Sequence, residues 1–133
     1  MLFISEQKYL ISSPKKLRPM ARLAKKYSPT QAIEVLPFTG KRNAEALVKV
    51  IKSAIANARQ KGISDDNLKF NEIRIGEGPA LKRGRAVSRG RWHPYEKMMS
   101  HIRVVLETKE TPKEVKKEVE VDKKEEKTAK EEK

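Results

Sequence analysis

Between positions 82 and 97 lie Lys82, Arg83, Arg85, Arg89, Arg91 and Lys97, against a single acid, Glu96. Cations at that density suit one chemistry, the binding of phosphate. A guanidinium meets phosphate oxygens through parallel N–H bonds and an ammonium meets them as a compact point charge. Gly84 and Gly90 allow close backbone approach, and Trp92, His93 and Tyr95 offer ring faces on which bases can stack. Catalysis finds little to work with. His93 sits beside the basic tip and His101 begins a strand, with no cysteine in the chain and no metalloprotease spacing. Asp65 and Asp66 adjoin in a turn, where capping is their ordinary role. Gly76-Glu77-Gly78-Pro79 does not make a phosphate loop, because proline follows its second glycine and no helix opens after it. No catalytic residue, metal ligand or cofactor is therefore expected.

The charge of the whole chain carries the same message. At 133 residues there is room for one domain, and a formal charge of +13 calls for a polyanionic partner. The segment 107–133 holds 9 basic and 10 acidic residues, so residues 1–106 keep 22 basic against 8 acidic ones. The body alone thus bears the affinity for a polyanion. From about Lys109 the chain repeats Lys, Glu and Val without aromatic residues or glycine, and such a segment buries too little apolar area to offset its ordering entropy. It reads as a disordered charged tail over 109–133, with a solvent-exposed charged helix as the alternative. Absence of cysteine fits a reducing compartment, and Met1-Leu2-Phe3-Ile4-Ser5-Glu6 lacks the basic flank and long apolar run of a signal peptide. No stretch has the length of a membrane span, and the cations share no helix with a broad apolar face, so no membrane partner is expected.

The elements that must carry the cations can be read ahead of them. A short strand is expected near residues 8–12, then three helices. Ser13-Pro14 opens the first in an N-cap and N1-proline arrangement, with Pro19 either kinking that helix or marking its true start. Ser28-Pro29-Thr30-Gln31 opens the second, with Gln31 placed to complete a capping box, and Pro37 ends it early. Ala44, Leu47, Val48, Ile51, Ala54, Ile55 and Ala58 recur at the spacing of one buried helical face, and Gly62 stops this third helix. Its other face shows Lys49, Lys52 and Arg59, so one helix can bury an apolar stripe and present cations outward. Asn57 lies beside the apolar stripe, where an amide more often bonds to backbone than to a ligand.

After a turn at Ser64-Asp65-Asp66-Asn67, Leu68 and Phe70 alternate on one parity and Ile73 and Ile75 on the other, so a bulge is expected near Asn71-Glu72. Ile102, Val104 and Leu106 share one face of a returning strand. What lies between, residues 76–101, is too long for an ordinary loop and reads as either disorder or an extended hairpin turning near Ser88-Arg89-Gly90. Each arm would then run about 36 Å at strand rise. A DNA-bending protein with a basic ribbon is the competing class, but such a ribbon inserts apolar wedges at its tip and only Val87 is available here.

Four stretches stand together in the order and spacing of a known family: Ser13-Pro14-Lys15-Lys16-Leu17-Arg18, Ser53-Ala54-Ile55-Ala56-Asn57-Ala58, Glu77-Gly78-Pro79-Ala80-Leu81-Lys82-Arg83 and Ser100-His101-Ile102-Arg103-Val104-Val105. Over about residues 5–107 the chain resembles the bacterial-type large-subunit ribosomal protein conventionally numbered twenty-two. The resemblance implies an α+β fold, three helices on a small three-stranded antiparallel sheet with a long protruding β-hairpin. It implies one ribosomal RNA-binding domain over 1–108, a structural role in the cytoplasmic ribosome, and a hairpin lining the polypeptide exit tunnel. Implied partners are large-subunit ribosomal RNA, neighbouring ribosomal proteins and, near the hairpin tip, the nascent polypeptide. Lys82, Arg83, Arg85, Arg89, Gly90 and Arg91 would be the hairpin contacts, and Lys15, Lys16 and Arg18 those of the body. Trp92, Lys97, Lys49 and Lys52 complete the expected RNA-binding set. The tip departs from the family: it reads Arg85-Ala86-Val87-Ser88-Arg89-Gly90-Arg91-Trp92 in place of a Pro-Arg-Ala stretch followed by Gly-Arg-Ala.

Overall fold

A computed structural model describes residues 1–108, and the tail expected at 109–133 lies outside the described residues. Chain order is β1 (Leu2–Leu10), α1 (Pro14–Ala24), α2 (Pro29–Phe38), α3 (Ala44–Arg59), a 3₁₀ turn (Asp65–Asn67), β2 (Leu68–Ala86) and β3 (Trp92–Thr108). β3 is the central strand, antiparallel to β1 on one side and β2 on the other. This is the expected α+β architecture, three helices against a three-stranded antiparallel sheet.

α3 is the spine of the body because its apolar stripe is continuous. Leu47, Ile51, Ala54 and Ala58 are fully buried, joined by Val50, and Gly62 beyond the helix takes the positive φ (77°) that a side chain resists. α2 opens on the expected capping box: Gln31 N–H donates to Ser28 Oγ, and Ser28 N–H to Gln31 Oε1, each at 3.3 Å. Pro37 does not end α2 but lies within it, one residue from the C-terminus. There its missing N–H costs only one helical bond.

α1 begins at Pro14 as expected, but the Ser13 side chain makes no capping bond. Pro19 sits inside α1 rather than starting it. Leu17, Met20, Ala21 and Ala24 are all buried, and this anchorage outweighs the hydrogen bond that proline forgoes.

The first strand is longer and earlier than the expected 8–12. Phe3 faces the core and pairs with Leu106, while Leu2 and Ile4 lie on the outer face. An apolar run on both faces followed by polar Ser5 and Gln7 has no period-two signal to read. Asn57 uses its amide on backbone, donating from Nδ2 to the Ile4 carbonyl at 3.0 Å, and so occupies an acceptor on an edge strand.

The bulge expected near Asn71-Glu72 is present: pairing passes from Phe70↔Leu106 to Glu72↔Val105. Leu68, Phe70, Ile73 and Ile75 consequently stay on one face opposite Ile102, Val104 and Leu106. A second shift falls between Glu77 and Ala80, and β1 carries one between Gln7 and Leu10, so both neighbours of β3 are irregular beside Ser100 and His101. His101 fills the gap. Its Nδ1 accepts from the Tyr9 N–H at 3.0 Å, its ring meets the Tyr9 ring edge-on at 5.0 Å, and a Cβ on Gly78 would stand 3.2 Å from its imidazole. This cluster fixes the root of the hairpin.

Arg59 at the end of α3 makes a two-pronged ion pair with Asp65 of the 3₁₀ turn, Nε to Oδ1 at 2.8 Å and Nη2 to Oδ2. That pair clamps the helix to the start of β2. Hydrogen bonding from Arg59 holds the Asp65 carboxyl below its ordinary 3.8. A carboxylate depressed in the folded state contributes stability above its unfolded pKa, and the contribution is lost as pH falls through the lower folded value. Asp65→Asn is therefore expected to lower the melting temperature slightly at neutral pH and to remove part of its decline below about pH 5. Parallel acid limbs for the two proteins would contradict this.

Candidate nucleic-acid interface

β2 and β3 continue past the body as a paired ribbon, from Ala80↔Met98 to Ala86↔Trp92, so the segment is a hairpin and not a disordered loop. The turn falls where expected. Arg89 and Gly90 both adopt positive φ (61° and 67°), and the Val87 N–H donates to the Arg91 carbonyl at 2.9 Å. Side chains from Arg85 to Met98 are exposed, since nothing in the body covers them.

The register sorts the cations by face, because directly paired residues of antiparallel strands point to the same side. Arg83↔Tyr95, Arg85↔His93 and Leu81↔Lys97 place Arg83, Arg85 and Lys97 with both Tyr95 and His93. Lys82↔Glu96, Gly84↔Pro94 and Ala86↔Trp92 fall on the other side. One face is thus cationic and aromatic, and the other carries the lone acid and the indole.

Gly84 serves the indole: a Cβ built there would lie 1.9 Å from Trp92 Cε2 and Cζ2, so the Trp92 ring occupies the space above the Gly84 backbone. An aromatic ring covering a cross-strand glycine stiffens a ribbon that otherwise has little to pack. Trp92 is still 66% exposed and keeps a free face for stacking. Gly84→Ala is expected to dislodge the ring. As Trp92 is the chain's sole tryptophan, the effect reads directly as a red-shifted, more readily quenched emission. Identical spectra would show that the ring does not need the glycine.

The expected body cations are less uniform. Arg18 pairs with Glu77 at 3.1 Å and Lys49 with Glu45 at 2.9 Å, both on the exposed surface where such pairs contribute little and exchange readily for phosphate. Hydrogen bonding from Lys49 lowers the Glu45 carboxyl. Lys15, Lys16 and Lys52, and on the ribbon Lys82, Arg85, Arg89, Arg91 and Lys97, make no ion pair among the described residues. Arg83 donates to the Lys82 carbonyl at 2.8 Å. Arg18 of α1 is tied to the ribbon's root by its pair with Glu77.

Several cations escaped the sequence reading. Arg22, Lys25 and Arg74 line, with Arg18, a groove of about 310 Å³ between α1 and the edge strand β2. The spacing of Arg18, Arg22 and Lys25 along α1 was the available signal. Lys41 and Arg42, in the connection from α2 to α3, face the root of the hairpin beside Lys16 and Lys97. Among the described residues no group of three or more His, Cys, Asp or Glu side chains is placed to hold a metal ion, and no helix is long and apolar enough to cross a membrane.

Comparison with known proteins agrees with the resemblance read from the four motifs. The chain is 39% identical over 107 residues to the large ribosomal subunit protein uL22 of Petrotoga mobilis (strain DSM 10674 / SJ95), covering 80% of this chain and 72% of that one. It is 40% identical over 103 residues to the protein of the same name from Syntrophus aciditrophicus (strain SB), covering 77% and 94%. A third, from Desulfatibacillum aliphaticivorans, is 40% identical over 100 residues, covering 75% and 93%. The family described as ribosomal protein L22p/L17e matches residues 5–107, which takes in the body, the whole hairpin and both strands that root it. The chain belongs to the ribosomal protein L22p/L17e family.

Proposed function

We propose that this chain, as a structural and non-enzymatic constituent of the large ribosomal subunit, binds large-subunit ribosomal RNA, aids subunit assembly and lines the polypeptide exit tunnel with its hairpin. Residues 1–108 act as one RNA-binding domain in the cytoplasmic ribosome. The observation that carries this reading is the ribbon itself: Lys82, Arg85, Arg89 and Arg91 stand on an exposed two-stranded arm with no ion pair among the described residues. Such an arm gains order and charge balance when phosphates surround it.

Lys15, Lys16 and Arg18 dock the body, with Lys49 and Lys52 contributing from α3. Arg83, Lys97 and Trp92 hold the arm along its length, and Arg89 and Gly90 reach the tunnel wall, where they meet the nascent polypeptide. Neighbouring ribosomal proteins contact the body. By bridging separate RNA segments, the arm fixes their relative position during assembly. The competing DNA-bending reading stays weak, since the turn presents Arg89 and Gly90 rather than an apolar wedge.

Sedimentation of a lysate at moderate salt tests the reading. The tagged chain is expected to travel with large subunits, and a chain lacking residues 82–92 to join them at reduced occupancy. Recovery with the chromosome instead would overturn it.

A further inference from the structure

Where the hairpin leaves the body there is an open cleft of about 880 Å³, walled by the β1–α1 connection, the α2–α3 connection and residues 96–98 of β3. Its volume falls in the roughly 300–1,000 Å³ range of sites that hold small ligands. We propose that the cleft receives one unpaired guanine nucleotide extruded from an RNA helix, its phosphate held by Lys16, Lys41 and Arg42 and its base edge by Glu96. The inference rests on the RNA-binding reading above and adds to it a recognition mode and a base.

Lys16, Lys41 and Arg42 line the cleft from the body and none makes an ion pair among the described residues. Glu96 lines the same cleft, and its carboxylate also has no hydrogen bond or ion pair among them. A carboxylate beside three cations that pairs with none of them suits a ligand with one anionic end and one end that donates hydrogen bonds. The backbone of an RNA duplex does not fit, since it offers a row of phosphates that would repel Glu96. An extruded nucleotide has both ends. Its phosphate meets the cations, and its Watson–Crick edge is free to meet an acceptor.

Other features of the cleft suit a base. Ile11 and Met98 are large apolar side chains left 64% and 48% exposed, and with Pro19 they line the cleft with surface against which a flat ring can lie. The Asn43 side chain makes no capping bond to α3, so one polar group remains for the sugar or the base. Guanine is the base that matches. An ionised carboxylate only accepts, through two oxygens, and guanine alone presents two adjacent donors, N1–H and N2–H, on its pairing edge. Adenine, cytosine and uracil each present one donor group there.

The test uses the full-length chain and three RNA stems of one length: fully paired, with a single bulged guanosine, and with a single bulged adenosine. Fluorescence anisotropy at moderate salt is expected to give about tenfold tighter binding to the guanosine bulge than to the other two, in line with one bidentate base contact. Glu96→Gln should abolish the preference for guanosine over adenosine and slightly tighten binding of the paired stem, because it removes a charge that repels phosphates. Replacing Lys41 and Arg42 by alanine together should weaken the bulged stems more than the paired one. Equal binding of all three stems, or a guanosine preference indifferent to Glu96→Gln, would overturn the proposal and leave the RNA-binding reading intact. Failure to bind any stem would overturn both.

Discussion

Replacing Lys82, Arg83, Arg85, Arg89 and Arg91 together by glutamine is expected to weaken binding to large-subunit ribosomal RNA about 10³-fold near physiological salt. Each cation that neutralises a phosphate releases a condensed counterion, and each contributes roughly 0.7 to 0.9 to the slope of log K against log salt. Losing five should flatten that slope by about 4, so wild type and variant converge as salt approaches about 1 M. Glutamine keeps length and hydrogen-bonding capacity, which isolates charge from shape. The body should remain folded, because these side chains belong to the exposed arm and contribute nothing to the buried cluster. A salt titration showing unchanged slope would mean that the arm's cations do not sit on phosphates.

Ile51→Ala should have the largest effect on stability. Ile51 is fully buried in the middle of α3, within the cluster that joins α1, α2 and the inner face of the sheet. Truncating such a side chain costs about 2–5 kcal/mol, from lost transfer energy and the cavity left behind. Domains of this size are stable by about 5–15 kcal/mol, so the loss is a large share of the total. A fall in Tm of at least about 10 °C is expected by calorimetry on the free protein. The defect should shrink in assembled subunits, because a partner that binds only the folded state stabilises it by mass action. An unchanged Tm in the free protein would show that α3 is not the spine of the body.

How far the fold could be read in advance depended on periodicity. α3 was legible because seven apolar residues hold one face without interruption, and the capping box of α2 because Ser28 and Gln31 stand at its fixed spacing. The bulge at Asn71 could be foreseen since the apolar parity changes there. β1 was misplaced for the opposite reason: Leu2, Phe3 and Ile4 put apolar side chains on both faces, and Ser5 and Gln7 put polar ones toward the helices. Proline misled at Pro19 and Pro37, where burial of neighbouring residues carried the helix through a position that local preference would end.

The candidate site was half legible. Charge density marks the ribbon without any knowledge of register, but only register assigns Arg83, Arg85 and Lys97 to one face and Trp92 to the other. Gly84 looked like an allowance for backbone approach to a ligand, and in the fold it makes room for Trp92. Lys41 and Arg42 gave no periodic signal, being in a connection. They reach the hairpin root only because α3 returns along the sheet and brings its own start beside β3.

One measurement bears most directly on the claim that the arm lies against ribosomal RNA. A photo-crosslinking amino acid is placed at position 85, one rung from the last pair before the hairpin turn, and large subunits carrying the chain are purified and irradiated. Adducts formed mainly with large-subunit RNA are the result expected. Adducts with protein alone, or none in subunits that demonstrably contain the chain, would contradict it.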